Sequence, residues 1–264
     1  MLRSSVSRTS AGSRAAATRV VVFAAVAAAL LGTAACGDDD GASAISLPNL
    51  LLAGDQLPPG FAAVPMDVND LIVANRATLE QAESVAFDPK QCGPTADAEF
   101  NPQLTDENTA LLVGRSDDGT FSELASTVRR NVDADRRATT GPCRVVTAVP
   151  SRGSLAGARI VTTSVELPAV SGPAVDQAFL LRSDSVTTLP SGAVRARAGL
   201  MANVLVRAAN GEVVTLQVGL STLEREISEA DRAAVAPGTP LVAAPVSDDE
   251  FIGLVRSAVA RAAQ

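Results

Sequence analysis

Along the 264-residue chain, apolar and polar positions alternate with different periods in different places. An unbroken apolar run, "VVVFAAVAAALL", occupies Val20 to Leu31, and small and polar residues follow it. From residue 47 onward the pattern breaks into short segments with helix or strand periodicity. "LPNLLLAGDQLPPGF" at 47–61 predicts a short helix from Asn49 to about Gly54 and then a Pro-Pro turn. "NRATLEQAESVAF" at 75–87 places Leu79, Ala82 and Ala86 at helical spacing. "TALLVGRS" and "GTFSELASTV" read as two strands across a "DDG" turn, since Asp-Gly tolerates positive backbone angles. "VRRNVDADRRA" at 128–138 is polar all round except for Val128, Val132 and Ala134, and predicts a surface helix.

The second half favours strands. "CRVVTAVP", "ARIVTTSVEL", "AVDQAFLLRSDSVTTL" and "ARAGLMANVLVRAANGEVVTLQVGL" are rich in β-branched residues, and Asn210-Gly211 between two apolar runs is a strong hairpin signal. Within the last segment Leu200, Ala202, Val204 and Val206 share one face, and Met201, Asn203, Leu205 and Arg207 take the other. An antiparallel sheet with one mostly buried face is expected. At the C-terminus "SDDE" gives Ser247 and Glu250 capping-box spacing, with Asp248 and Asp249 placed to complement a helix dipole. Phe251, Leu254, Val255, Ala258 and Val259 then form one apolar stripe to be buried against the sheet. The fold class expected is α+β, an antiparallel β-sheet flanked by helices, in a single domain.

The N-terminal run carries a different message. Arg3, Arg8, Arg14 and Arg19 precede it with no acidic residue among them, and its length suits the core of a secretion signal and is too short for a stable membrane span. Small residues then lead to a cysteine in "GTAAC", ending at Cys36. This stretch resembles the lipobox of bacterial lipoproteins, with Thr33 where Leu is most common. The resemblance implies a diacylglyceryl thioether on Cys36, cleavage between Ala35 and Cys36, and further acylation of the new N-terminus. The membrane is then a partner through acyl chains, at the extracytoplasmic side of the cell membrane, and two or three chains hold far more firmly than one. "GDDDGASA" after Cys36 has no face to bury and reads as a solvated tether, since Asp38, Asp39 and Asp40 lack the alternation of a calcium loop. The expected organisation is a signal peptide at 1–35, a flexible tether at 36–46 and an extracytoplasmic α+β domain at 47–264.

With Cys36 assigned to lipid, Cys92 and Cys143 remain as a pair in an oxidising compartment. A disulfide between them closes a loop of about fifty residues and contributes roughly 4 kcal/mol by the chain-entropy argument. A zinc site would have to recruit carboxylates, because the sequence has no histidine. No metal or cofactor is expected.

Charge and composition narrow the function. The processed chain loses four arginines and no acid, so 18 basic and 29 acidic residues remain, a formal charge of −11. That balance excludes a nucleic-acid footprint. Without histidine, and with Lys90 as the only lysine, neither a Ser-His-Asp nor a Cys-His nucleophile can be assembled, and "GxxxxGK" does not occur. Carboxylate pairs remain possible, but six phenylalanines are the only aromatic residues after the signal segment, a poor supply for a sugar cleft. Arg129, Arg130, Arg136 and Arg137 form a cluster that could hold an anion, and interleaved Asp133 and Asp135 favour helix-face ion pairs instead. No catalytic residue is nominated, and the chain is read as a non-enzyme.

The lipobox, "LLLAGDQLPPGF" and the strand-rich domain with Cys92 and Cys143 together resemble extracytoplasmic actinobacterial lipoproteins, and more loosely the PknH-type extracellular sensor domains, which often begin with an "LL…DLPPGF"-like element. The resemblance implies an antiparallel sheet flanked by helices and a cleft for a ligand. Those domains commonly carry two disulfides, where this chain can form one. Two functions are expected from these readings. One is a ligand-binding or sensor-like module that captures a small apolar or envelope-derived molecule between sheet and helix, rimmed by hairpins and Pro-rich loops. The other is an interaction lipoprotein holding an envelope protein complex; a carboxylate-dependent hydrolase is the remaining alternative.

Overall fold

The computed structural model describes residues 45–228, 230 and 240–264. The signal segment, Cys36 and most of the 36–46 tether lie outside these residues. Ten strands make the sheet: β1 (Ala62–Val64), β2 (Val85–Asp88), β3 (Thr109–Arg115), β4 (Gly119–Ser126), β5 (Val145–Pro150), β6 (Arg159–Leu167), β7 (Val175–Thr188), β8 (Val194–Arg207), β9 (Val213–Thr222) and β10 (Arg225–Glu226). Five helices flank them among the described residues: α1 (Leu47–Leu50), α2 (Val68–Ala82), α3 (Thr95–Phe100), α4 (Val132–Thr139) and α5 (Asp248–Ala262). The expected α+β class, one antiparallel sheet with helices packed on it in a single domain, is what the chain forms.

Every pairing is antiparallel, and the order across the sheet is β1-β3-β4-β9-β8-β7-β6-β5-β2, with β10 on β8 beyond the end of β9. β1 and β2 take the two opposite edges of the sheet, and the β3–β4 hairpin follows them in the chain. After α4 the chain starts again at the far side with β5 and returns strand by strand, so that β9 closes against β4. The Asn210-Gly211 turn joins β8 to β9 as its sequence demands. Gly211 sits at φ +87° and the Asn210 side chain accepts from the Glu212 backbone N–H.

Strand alternation sorts the side chains onto two covered faces. Leu200, Ala202, Val204 and Val206 of β8, with Val214, Leu216, Val218 and Leu220 of β9, are buried beneath α5 and α1. Each large aliphatic side chain buried there stabilises the fold by roughly 1.5–3 kcal/mol. Helix α5 presents the expected stripe, with Phe251, Val255, Ala258 and Val259 buried and Leu254 packed at its margin; Ile252 and Ala262 extend it. Its start is held as expected: Ser247 Oγ accepts from Glu250 N–H and Glu250 Oε2 accepts from Ser247 N–H at 2.8 Å. Asp248 also meets Arg182 of β7, tying the helix start to the sheet.

The opposite face is covered too, which corrects the expectation of one buried face. Phe179, Leu181 and Leu205 pack with Val132 of α4, while Phe100, Leu104 and Leu124 pack with Leu71 and Ile72 of α2. The helix expected over 75–87 begins earlier, at Val68 with Asp67 as N-cap, and ends at Ala82. Residues 85–88 instead pair with β5, because their β-branched and aromatic side chains gain a strand partner far away in sequence. The first helix is Leu47–Leu50, with a separate 3₁₀ turn at Gly54–Gln56. Among the described residues no helix is long and apolar enough to cross a membrane.

Candidate functional site

The segment 128–138 is not a purely exposed helix. Arg130 lies just before α4 and is 3% exposed, anchored where its backbone N–H donates to Thr215 Oγ1 of β9. Its guanidinium donates from Nε and Nη2 to the two oxygens of Asp135 at 2.8 and 2.6 Å, and from Nη2 to Asp97 of α3 at 2.7 Å. The guanidinium also lies 5.0 Å from the Phe100 ring centroid. Burial opposes the Arg130 charge, and the Asp135 hydrogen bond and the nearby carboxylates more than offset it. Burial pushes the Asp135 carboxyl above its ordinary value although Arg130 pulls it back. One cation therefore fastens α3 and α4 to each other over the sheet.

A second tie lies alongside. Cys92 and Cys143 form the expected disulfide, with Cα atoms 5.4 Å apart and a separation of 51 positions in sequence. It joins the turn before α3 to the turn after α4. Of the rest of the arginine cluster, Arg136 is used as the ion-pair reading expects: it meets Asp133 and, from across the sheet face, Glu166, while it covers the Phe179 ring at 5.3 Å; Arg129 and Arg137 make no ion pair among the described residues.

These ties hold α3 and α4 on this face, α2 packs beside them through Leu71 and Ile72, and an open cleft of about 430 Å³ is left between α2, α3 and the sheet. Leu71, Asn75, Thr78 and Leu79 line its roof from one face of α2, as spacings of four, three and one along a helix require. Pro94, Asp97 and Asn101 continue that roof around α3. The floor is the β4–β9–β8–β7 surface. Ser122 pairs with Gly219, which pairs with Met201, so two small residues occupy the middle of the sheet where bulk would fill the space. A Cβ on Gly219 would stand 2.9 Å from Ser122 Oγ, so that row admits no larger residue without movement. Thr120 and Ser221 hydroxyls bond each other at 2.9 Å, and Ser185 bonds Thr162 at 2.8 Å. Neither the Pro58-Pro59 turn nor the Asn210-Gly211 hairpin lines the cleft.

A smaller cavity of about 260 Å³ adjoins it beneath the disulfide and shares Pro94, Asp97 and Met201 with it. Arg130 Nη1 and Asn203 Nδ2 are buried in this region and complete no well-formed hydrogen bond among the described residues, although Asn203 is close enough to help draw the Asp135 carboxyl down; Asn203 Oδ1 accepts from Gln217 at 2.8 Å. A groove of about 510 Å³ runs on the outer side between α3 and α4, lined by turn backbone and the opposite charges of Glu99 and Arg137. Among the described residues no group of three or more acidic or cysteine side chains could hold a metal ion.

On the sheet's other face, Glu123 is the fully buried charged side chain. It is fully buried under the Leu47–Leu52 segment, where Oε2 accepts from the Leu52 N–H at 2.9 Å and Oε1 has no partner. Burial pushes its carboxyl up to about 7, against the pull of the Leu52 hydrogen bond and the Arg261 charge. The sequence reading missed Glu123, the Arg130 network and the cleft floor. The floor had a visible signal: Thr215, Gln217, Gly219 and Ser221 alternate along β9 with buried aliphatic residues.

No family model matches the chain, and no curated protein matches it. Among solved structures it is similar to the X-ray structure of an uncharacterized protein, the Rv0999 ortholog of Mycobacterium smegmatis. The identity is 15% and the TM-score 0.40, over 80% of this chain and 93% of that one.

Proposed function

We propose that this chain is a lipid-anchored, extracytoplasmic cell-envelope protein whose domain binds a small molecule, without catalysis, in the cleft between α2, α3 and the sheet. The observation that carries this reading is the 430 Å³ opening over the middle of the sheet, a size typical of small-molecule sites. Strands β4, β9 and β8 place Ser122, Gly219 and Gly199 there, while the same strands bury large aliphatic residues on their other face. The lipobox-like "GTAAC", the acidic tether and the single disulfide support an exported, anchored protein. Cys36 carries the lipid in this reading. Intact-mass analysis of protein extracted from native cells tests the anchor: a diacylglyceryl-modified Cys36 at the N-terminus is expected, and an unmodified thiol or a retained leader refutes it.

Residues 42–264 form one compact unit that contains the whole core, so the anchor can be removed for binding work. Native mass spectrometry of that unit after exposure to an extract of native envelope is expected to show a bound molecule that Ser122→Trp, which fills the cleft, excludes. A unit that binds nothing from the extract refutes the reading. A second reading, an assembly role with an envelope protein, is favoured by Val145, Val149 and Val165, which are exposed on one face of β5–β6. Val145→Asp with Val165→Asp would then abolish a specific in-cell crosslink and leave small-molecule binding unchanged.

A further inference from the structure

The cleft floor changes character along its strands. Register sorts it into rows: Leu124 beside Gln217; then Ser122, Gly219 and Met201; then Thr120, Ser221, Gly199 and Ser183; and last Arg197 beside Ser185. Adjacent rows are two residues apart on each strand, about 7 Å, so Met201 and Arg197 lie on the order of 13 Å apart along β8. The apolar end gains Leu71 from α2, which packs with Leu124. The middle rows offer the hydroxyls of Ser122 and Ser183, which have no hydrogen-bond partner among the described residues.

The far end carries the cation Arg197. Arg182, Arg195, Arg207 and Arg225, on the same group of strands, each meet a carboxylate. Arg197 is exposed at the cleft mouth and meets none among the described residues. At the opposite end Asp97 faces the cleft, and the single charge of Arg130 is shared between Asp97 and Asp135. The field along the cleft therefore runs from negative at α3 to positive at Arg197, and it orients a charged ligand in one sense only.

We propose that the cleft selects an anionic amphiphile: an acid with its carboxylate at Arg197, a hydroxyl over Ser183, and an aliphatic tail between Met201 and Leu71. This rests on the small-molecule reading of the cleft. The acid end is open to water and exchanges by that mouth, while the tail is covered by α2.

Titration of the 42–264 unit with 3-hydroxydecanoate, decanoate and decanol tests it, followed by calorimetry and by amide shifts at Gly199 and Gly219. The hydroxy acid is expected to bind most tightly and decanol least. Arg197→Ala should weaken both acids about fivefold, the size of a solvent-exposed ion pair at its upper end, and leave decanol unchanged. Arg197→Lys should restore most of the loss, and Ser183→Ala should remove the advantage of the hydroxy acid over decanoate. Arg197 is exposed, so an unchanged melting temperature confirms that its variants fold. Decanol binding as tightly as the acids, or Arg197→Ala weakening all three alike, overturns the ligand class and leaves the binding reading standing. Failure of all three probes with the envelope extract still yielding a cleft-bound molecule overturns the ligand class only; failure of the extract as well removes both.

Discussion

Replacing Glu123 by Gln should abolish a pH dependence of stability that a carboxylate at this position builds into the fold. The folded-state value of about 7 stands above the ordinary 4.5, so between those limits the folded protein holds a proton that the unfolded chain has released. Stability is then greatest below about pH 4.5 and falls as pH rises through 7. At 1.36 kcal/mol per pH unit, the fall is about 3 kcal/mol. Glutamine mimics the protonated acid: its carbonyl keeps the Leu52 N–H bond, and its amide stands where Oε1 has no partner. Urea denaturation of the 42–264 unit from pH 4.5 to 8.5 checks this. Wild type and Glu123→Gln should coincide at the acid end and separate by about 3 kcal/mol at the alkaline end, or ~10 °C in melting temperature. Taking the difference between the two proteins cancels all other carboxylates. Two curves that stay parallel across the range would refute the reasoning, because Glu123 would then ionise alike in both states.

Arg130→Ala should destabilise the domain by about 3–5 kcal/mol, because it strands the buried Asp135 carboxylate; Arg130→Met with Asp135→Leu should recover most of the loss in the same urea assay. Reducing the Cys92–Cys143 bridge, or replacing both cysteines by Ser, should cost about 2–5 kcal/mol and raise hydrogen exchange in α3 and the turn after α4 before it does so in β8. Ser247→Ala removes one half of the α5 capping box and should lower stability by about 1 kcal/mol, visible as a shift in urea midpoint at constant slope.

The parts legible in sequence were those governed by neighbours along the chain. The Asn210-Gly211 turn, the β8 alternation and the α5 cap each depend on residues a few positions apart, and each formed as its local chemistry requires; the hairpin across "DDG" formed too, but Gly119 opens β4 without the positive φ expected of it. Val85–Asp88 reads as the end of a helix because Ala82 and Ala86 fit helical spacing. Only pairing with β5, some sixty residues on, gives it a strand partner. Arg130 looks like one of four exposed arginines in "VRRNVDADRRA". Its burial depends on Asp97 from another helix and on Thr215 from β9, neither of which periodicity can place beside it. The cleft was half visible: the polar face of β9 can be read from alternation, but the helices that stand over it cannot, because α3 is set by the disulfide and Arg130 and α2 by distant apolar partners such as Leu124.

The seam between β4 and β9 has a consequence for how this chain must be made. Strand β4 exposes an unpaired row of backbone donors and acceptors until a partner almost a hundred residues later emerges, and the Leu47–Leu52 segment lacks its cover until α5 follows. Delivered N-terminus first, the polypeptide stays open and sticky until its final third has arrived. A chain stalled before Val213 is therefore a template for aggregation, and a chaperone that shields the β3–β4 hairpin should raise yield more than one acting on the finished domain.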